Sequence, residues 1–403
     1  MARDEMSVRL HLKWIKVLEV VVDDPFELKI VVADSRSVTR CPSCGHKTTK
    51  VHDTRDVVVR DVDFGGRPTT LVWRRRRFVC EHCGQRHLED HPEIEGNVTA
   101  RLARSLERDA RAMSIREVAR RSGFSWHFIM GLVRAAAARS LTHRRRMRCR
   151  VLLVDETSLR RRHRHVTMVS DGESGALLGM VRGRDALALQ RLLASFGPGW
   201  RRRVEVVVSD GSEAYRSAIR AALPRATHVV DRFHVVRWLA ACQVEVRRRL
   251  QRLGPKGTRP AYDPDVFRSR YLQLARFDHL SAEEGAELGR IFAAHPELER
   301  AWRLAQHLHG FYEAEDLAGA EQALSAFADT YAEVDLPEFY KTVNSILEWS
   351  AEIFAFHTTG RATNGRQEGL NNKIGVLKRV AYGFVNVNNL AARSLLLCPG
   401  VYL

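Results

Sequence analysis

What this sequence lacks narrows its nature first. Nowhere in its 403 residues does an uninterrupted apolar run approach the ~18 residues that a membrane-spanning helix needs. The opening MARDEMSVRLHLKWIK is charged throughout and has no apolar core of the kind that an export leader carries. Both absences point to the cytoplasm and away from a membrane partner. Seven cysteines cannot close an even disulfide framework, and four of them fall in two close pairs, which suits metal binding in a reducing compartment. Lysine is scarce: of 65 basic residues nine are Lys and 56 are Arg.

What is present is arginine in excess. Against 48 acidic residues the basic ones leave a formal net charge of +17. A genome biased towards arginine would explain Arg in place of Lys, but neither the clustering nor the excess over acids. Guanidinium forks bind phosphate oxygens bidentately, so the expected partner is a polyanion, double-stranded DNA first. With 45% hydrophobic residues the chain can bury large cores, in about two to four domains.

Residues 1–40 alternate apolar and polar positions, as in Trp14–Val20 and Leu28–Val32, and suggest a hairpin or meander. Cys41–Pro42–Ser43–Cys44–Gly45 and Cys80–Glu81–His82–Cys83–Gly84 then supply two knuckles. Each CxxC turn aims two thiolates at one tetrahedral centre, and the glycine lets the backbone fold back towards the sulfurs. Strand-like Asp56–Arg60 and Thr69–Trp73 lie between them, so residues 1–96 read as a β region with a zinc ribbon holding one structural Zn²⁺ on Cys41, Cys44, Cys80 and Cys83. A redox pair is the alternative, but no thioredoxin-like strand and helix surround the motif. His46, His82 and His87 lie near enough in sequence to substitute, although four thiolates already complete a site. The run Arg74, Arg75, Arg76, Arg77 reads as a phosphate-facing strand, or else as a solvated edge.

From Thr99 the period becomes helical. Leu102, Leu106 and Ala110 mark one helix, Ile115 to Ala119 a second, and Phe128 to Val133 a third. Gly123 turns the second into the third and Ser125 is placed to cap it, so 97–147 has helix-turn-helix spacing with Ser125, Trp126 and His127 at the groove-facing start. A plain helical hairpin shows the same pattern. Leu141–Arg148, with Arg144, Arg145 and Arg146, reads as a basic linker.

Val151–Leu152–Leu153–Val154 is an apolar strand running into Asp155–Glu156, and Val204–Val208 is a second, running through Ser209 into Asp210. A hairpin centred on Asp171–Gly175 and helices around 186–196 and 212–223 complete a three-strand meander followed by helix, strand, helix, strand. That order is α/β and ribonuclease-H-like, with first and fourth strands side by side and Asp155 brought to Asp210. Residues 148–239 form the first part of this core. Residues 240–360 read as an α-helical insertion with a capping box at Ser281–Glu284 and breaks at Gly254–Pro255 and Leu336–Pro337; 361–403 return to the core with Glu368 in a helix that Asn364 is placed to cap.

Two strand-end aspartates and one helical glutamate suit two Mg²⁺ ions, or Mn²⁺, since such cations prefer oxygen ligands and activate phosphodiester chemistry. Glu156 should point to the opposite face of its strand. Asp231, which also ends a strand, competes with Asp210, and His234 is expected to support the fold or lie near DNA. Asn371 and Asn372 share the Glu368 face, and Lys373, Lys378 and Arg379 extend a basic path.

The order CPSCG, CEHCG, helix-turn-helix, VDET, SDG, VVDRFHVV and TNGRQEGLNNKIGVLKRVAYGF resembles the ISL-three family of bacterial insertion-sequence transposases along nearly the whole chain. The resemblance implies a catalytic trio at Asp155, Asp210 and Glu368. It implies also that ribbon and helix-turn-helix bind the element's terminal inverted repeats, in a nucleoid-associated protein acting on element ends and target DNA as a homo-oligomer, a dimer on DNA. Two other functions fit parts of the pattern. A zinc-dependent DNA-binding regulator with an inactive core should have lost one of the three acids, and none is lost. A nuclease for RNA–DNA hybrids would have little use for a helix-turn-helix.

Overall fold

A computed structural model describes residues 10–160, 164–251, 263–333 and 335–399. The break read at Gly254–Pro255 lies outside them. The chain forms two compact units, Met1–Ala136 and Ala137–Leu403.

In the first unit β1 (Ile15–Asp23) and β2 (Leu28–Asp34) make an antiparallel hairpin, and β2 runs parallel to β6 (Arg67–Val79). Between them come the short β3 (Thr39–Arg40) and β4 (Lys47–Thr48) and the long β5 (Val51–Phe64), which pairs with β6. β6 shows the strand period of two: Thr69, Leu71 and Trp73 are buried while their neighbours are not. Leu71 and Trp73 meet Leu28, Ile30, Val32 and Val59 in a core. Short strands β7 (Arg86–Leu88), β8 (Ile94–Glu95) and β9 (Val98–Thr99) finish the sheets.

Three helices follow: α1 (Ala100–Ala112), α2 (Ile115–Ser122) and α3 (Trp126–Arg146). Thr99 and Ser114 cap the first two by accepting the N–H of Leu102 and Glu117. Buried Asp61 on β5 accepts from Arg101 Nε (2.7 Å) and Thr99 Oγ1 (2.6 Å), which fixes the start of α1. The stretch expected as a basic linker is instead the end of α3. No Gly or Pro interrupts it, arginine favours helix, and cations suit a helix C-terminus.

The second unit carries a five-stranded sheet ordered β12 (Leu177–Arg182), β11 (Arg164–Asp171), β10 (Val151–Arg160), β13 (Val206–Ser209), β14 (Thr227–Val230). The first three form the antiparallel meander; β10, β13 and β14 are mutually parallel, so the first and fourth strands are neighbours as expected. One face packs on α4 (Ala186–Ala194), α5 (Pro198–Arg201) and α6 (Glu213–Ala222), through Leu152, Val154 and Val207 against Leu189, Trp200, Tyr215 and Ile219. The other face meets α7 (Arg232–Leu250) and the helices after it. Burial on both faces explains why these strands read as unbroken apolar runs.

Those later helices are α8 (Pro264–Arg268), α9 (Ala282–Ala294), α10 (Pro296–Glu313), α11 (Leu317–Ala332), α12 (Pro337–Glu348) and α13 (Ser350–Thr358), then α14 (Gly365–Val380) and α15 (Val387–Leu397). The Ser281–Glu284 capping box forms as expected. α7 crosses position 240 without a break, and Leu153, Val208 and Val229 share one core with Leu304, Phe311, Phe339 and Phe356. The helical region is therefore a layer of the second unit. A buried ion pair reinforces the layer: Arg216 of α6 donates to both carboxylate oxygens of Glu352 of α13 (2.7 and 2.8 Å), with its guanidinium 4.2 Å from the Trp349 ring centre.

Candidate active site and zinc cluster

The parallel register places Leu153 opposite Val208 and Ser209 opposite Val230. One or two residues further on, Asp155, Asp210 and Asp231 stand in a row across three adjacent strands spaced about 4.8 Å apart. Asp155 does not end its strand, contrary to the sequence reading. β10 continues to Arg160 paired with β11 alone, because β13 has stopped at Ser209. That unpaired edge is where the side chain of Asp155 finds room. α14 closes the other side, and Glu368, exposed in its first turn, lines with Asp155 and Asp210 a cleft of about 1010 Å³.

Small hydrogen bonds fix this arrangement. Asn371 Nδ2 donates to Asp155 Oδ2 (2.7 Å), and the Glu156 N–H to Asp155 Oδ1 (2.7 Å). Asn364 does not cap α14 with its side chain, as had been expected. Its Nδ2 donates to Val154 O (3.3 Å) and its backbone N–H to Asp231 Oδ1 (3.1 Å), tying the helix start to β10 and β14. Asp231 spends its other oxygen on His234 Nδ1 (3.2 Å) and is buried, so it braces the site while Asp210 keeps an oxygen without a hydrogen-bond partner. Gln367, buried beside Ser170 Oγ, locks α14 to β11. Its role is invisible in sequence, because nothing marks which helix face meets the sheet.

Gly211 follows Asp210, and a Cβ there would come within 2.3 Å of the Trp238 ring. Only glycine lets the indole pack against the loop that carries the second aspartate. Glu156 also reaches the cleft, contrary to the expectation that strand alternation would turn it away, and lies 3.6 Å from His165 Nδ1.

Burial raises the pKa of Asp155, against the pull of the Glu156 N–H and Asn371. It raises Asp210 to about 6; His234 opposes the shift, while the charges of Asp155 and Glu156 add to it. Asp231 in turn raises His234 by accepting its proton in a hydrogen bond. Two half-buried aspartates, one with an oxygen lacking a hydrogen-bond partner, and an exposed glutamate across the cleft offer oxygen donors that suit a hard divalent cation. Among the described residues this trio does not come within 4.8 Å of itself as the cysteines do.

The four thiols are drawn together in the first unit. Cys41 and Cys83 sulfurs lie 3.6 Å apart, Cys44 and Cys80 3.5 Å, and all four within 4.8 Å. Tetrahedral ligands at the ~2.3 Å Zn–S distance would be about 3.8 Å apart, so the cluster fits zinc. Amides of Cys44 and Ser43 hold the Cys41 thiol down at about 6, and those of Cys83 and His82 lower Cys80. Gly45 and Gly84 follow each knuckle with φ of 74° and 70°, as the motif requires. His46 and His82 stack on each other at 3.9 Å beside Cys44. His87 packs against Phe78 instead.

The residues expected to meet DNA are placed unevenly. Arg74 is exposed beside Asp56 (3.5 Å); Arg75 donates to Glu89 O (2.7 Å), Arg76 grips buried Glu89, and Arg77 pairs with Asp53 across the hairpin. Arg76 is thus held by protein, because Glu89 would otherwise be a buried unpaired charge. Ser125 Oγ accepts the Phe128 N–H and caps α3, while Trp126 and His127 are exposed. Arg145, Arg146, Lys373 and Arg379 are exposed. Arg144 is corrected: it is 1% exposed, and its guanidinium donates to Leu177 O and Leu395 O (2.7 Å to the latter), so it joins helices and sheet. Lys378 is also turned inward, Nζ donating to Thr157 Oγ1 (2.6 Å) and Ser158 O (2.7 Å), and burial lowers its pKa.

Residues 152–394 match the ISL3-type DDE transposase family, described as transposase, and residues 37–83 the zinc-finger of transposases of IS204, IS1001, IS1096 and IS1165. The chain belongs to the ISL3 family of transposases. It is 27% identical over 359 residues to the transposase for insertion sequence element IS1001 of Bordetella parapertussis, covering 89% of this chain and 88% of that one. It is 29% identical over 266 residues to the transposase for element IS1557 of Mycobacterium tuberculosis, covering 61% and 60%. This transposase therefore joins a zinc-ribbon domain to a DDE catalytic domain. No helix among the described residues is long and apolar enough to cross a membrane.

Proposed function

We propose that this transposase cuts and joins DNA at the ends of its own insertion sequence, with Asp155, Asp210 and Glu368 holding two Mg²⁺ ions in a ribonuclease-H-like core. The observation that carries the reading is the shared level of Asp155 and Asp210 on neighbouring parallel strands, with Glu368 across the same cleft. The metal ions, when bound, polarise the phosphodiester and lower the pKa of an attacking hydroxyl. The residues do the rest. Asn371 orients Asp155, Asn364 and Asp231 hold the Glu368 helix against the strands, and Trp238 walls the Asp210 loop. Water, and afterwards the released DNA 3′-hydroxyl, attacks phosphorus in line as the P–O bond to the leaving strand breaks. No protein nucleophile is needed.

The three helices 100–146 act in this reading as a helix-turn-helix, with Trp126 and His127 read into a groove of the terminal inverted repeat and Ser125 capping. Zinc on Cys41, Cys44, Cys80 and Cys83 holds the ribbon. Arg74, Arg145, Arg146, Lys373 and Arg379 meet phosphates, and two copies bring two ends together. Incubating the purified chain with labelled element ends and Mg²⁺ tests the proposal: strand cleavage at the element boundary is expected, and intact ends with bound protein would refute it.

A further inference from the structure

α14 ends in a way that its sequence does not favour. The N–H of Gly383 donates to Lys378 O (2.8 Å) and that of Tyr382 to Arg379 O (3.0 Å), the pair of bonds that closes a Schellman turn. The left-handed position of such a turn is where glycine belongs. Here it is occupied by Tyr382, at φ 55°, although a glycine is the very next residue. A bulky residue in that region is strained, and burial could compensate, yet Tyr382 is 95% exposed. Val385, three residues on, is 73% exposed. An aromatic ring is being held in solvent at a conformational cost, on a firm mount: Lys378 pins the last turn to β10 two residues beyond Asp155.

Its surroundings say what the ring would meet. Glu368, Gly369, Asn372, Val376, Arg379 and Tyr382 recur at helical spacing and are all exposed, so one open stripe runs from the catalytic cleft to the ring. Beyond Glu368 that stripe holds no acid, and Lys373 stands next to it. Gly369 lets a backbone approach closely. A polyanion with flat apolar faces fits such a track, and aromatic rings on basic tracks stack on bases. We propose that Tyr382 is a stacking contact for a base of the bound DNA, reached by the strand that leaves the catalytic cleft along α14. From Glu368 to the helix end at Val380 is about 18 Å at ~1.5 Å per residue, and the closing turn carries Tyr382 slightly further, so roughly six base steps of 3.4 Å separate it from the cleavage point. This inference rests on the function proposed above.

The test uses the full chain and duplexes ending in the terminal inverted repeat, with 2-aminopurine placed singly along each strand. Wild type and Tyr382→Phe should change the probe's fluorescence at one position about six steps from the cut; Tyr382→Ala should lose that signal and bind ends about tenfold more weakly. Tyr382→Gly should also bind weakly and yet melt at a higher temperature than wild type, because it relieves the strained turn. A structural tyrosine would lose both together. Wild-type cleavage and binding with no position-specific signal and no defect in Tyr382→Ala would overturn this inference while leaving the proposed function intact. A change in oligomeric state of DNA-free Tyr382→Ala, without a probe signal, would reassign the ring to a contact between copies and overturn it too. A wild-type chain that neither binds nor cuts ends would refute the function itself, and this inference with it.

Discussion

The zinc cluster and the carboxylate cleft solve one problem, gathering like-charged ligands, in opposite ways. The four thiols come from two tight turns, 41–45 and 80–84, whose own amides point at the sulfurs, so each half-site is built locally. The three carboxylates span 155 to 368 and line one cleft because β10 and β13 pair in one register and α14 is tied down by Asn364, Gln367 and Asn371. A local site fails when a ligand is lost. A distributed site fails also when something remote releases an element that carries a ligand.

The largest effect should come from the local site. Structural zinc contributes on the order of 10 kcal/mol to the folding of small modules, so Cys44→Ser should unfold the ribbon and abolish specific end binding, while circular dichroism and melting still report a folded catalytic unit. Metal analysis should find one zinc per wild-type chain. A zinc-free protein with normal end binding would erase the contrast.

The distributed site should break at a distance. Arg216→Ala removes two of the hydrogen bonds to buried Glu352 and leaves it that of Arg220 (3.1 Å), so it should cost about 2–3 kcal/mol in urea unfolding and lower cleavage although neither residue touches the cleft. Unchanged stability would mean that the helical layer is independent of the sheet.

His228 gives the same layer a pH signature. It is buried at the β14–Trp349 contact with its Nε2 2.8 Å from Ser209 Oγ, and burial lowers its pKa to about 4. The unfolded chain takes up this proton near pH 6.5 and the native one does not. Stability is therefore full above pH 6.5 and falls as pH drops towards 4, by roughly 3 kcal/mol. His228→Gln should flatten that slope in denaturation measured from pH 7 to 4. A slope unchanged in the variant would assign the loss to other groups.

Asn371→Ala is the gentlest cut. It removes one hydrogen bond to Asp155 and should reduce cleavage about 10–100-fold with end binding unchanged. A loss of binding instead would place Asn371 on the DNA.

The same contrast sets what could be read in the sequence. CxxC followed by Gly names its ligands and nearly its geometry, and apolar runs into Asp155 and Asp210 name strands. The helical capping box at Ser281 was equally plain because it is local. What escapes is how single side chains are used between distant segments. Arg144 looks like its neighbours Arg145 and Arg146, yet the angle of one helix face buries it under Leu177 and Leu395. Arg76 and Lys378 were taken from solvent by Glu89 and Thr157. Asp231 rivals Asp210 in the sequence, which does not show that Asn364 and His234, 133 and three residues away, use its oxygens.

In the function proposed above, Glu368, from the far end of the chain, completes one metal site with Asp155 and Asp210. Glu368→Gln keeps the shape of the side chain and removes the anionic ligand. Cleavage of labelled element ends in Mg²⁺, run beside a binding assay on the same ends, measures it directly. Cleavage should fall by about 10³-fold or more with end binding retained. Full cleavage by Glu368→Gln would contradict it and move the third ligand elsewhere.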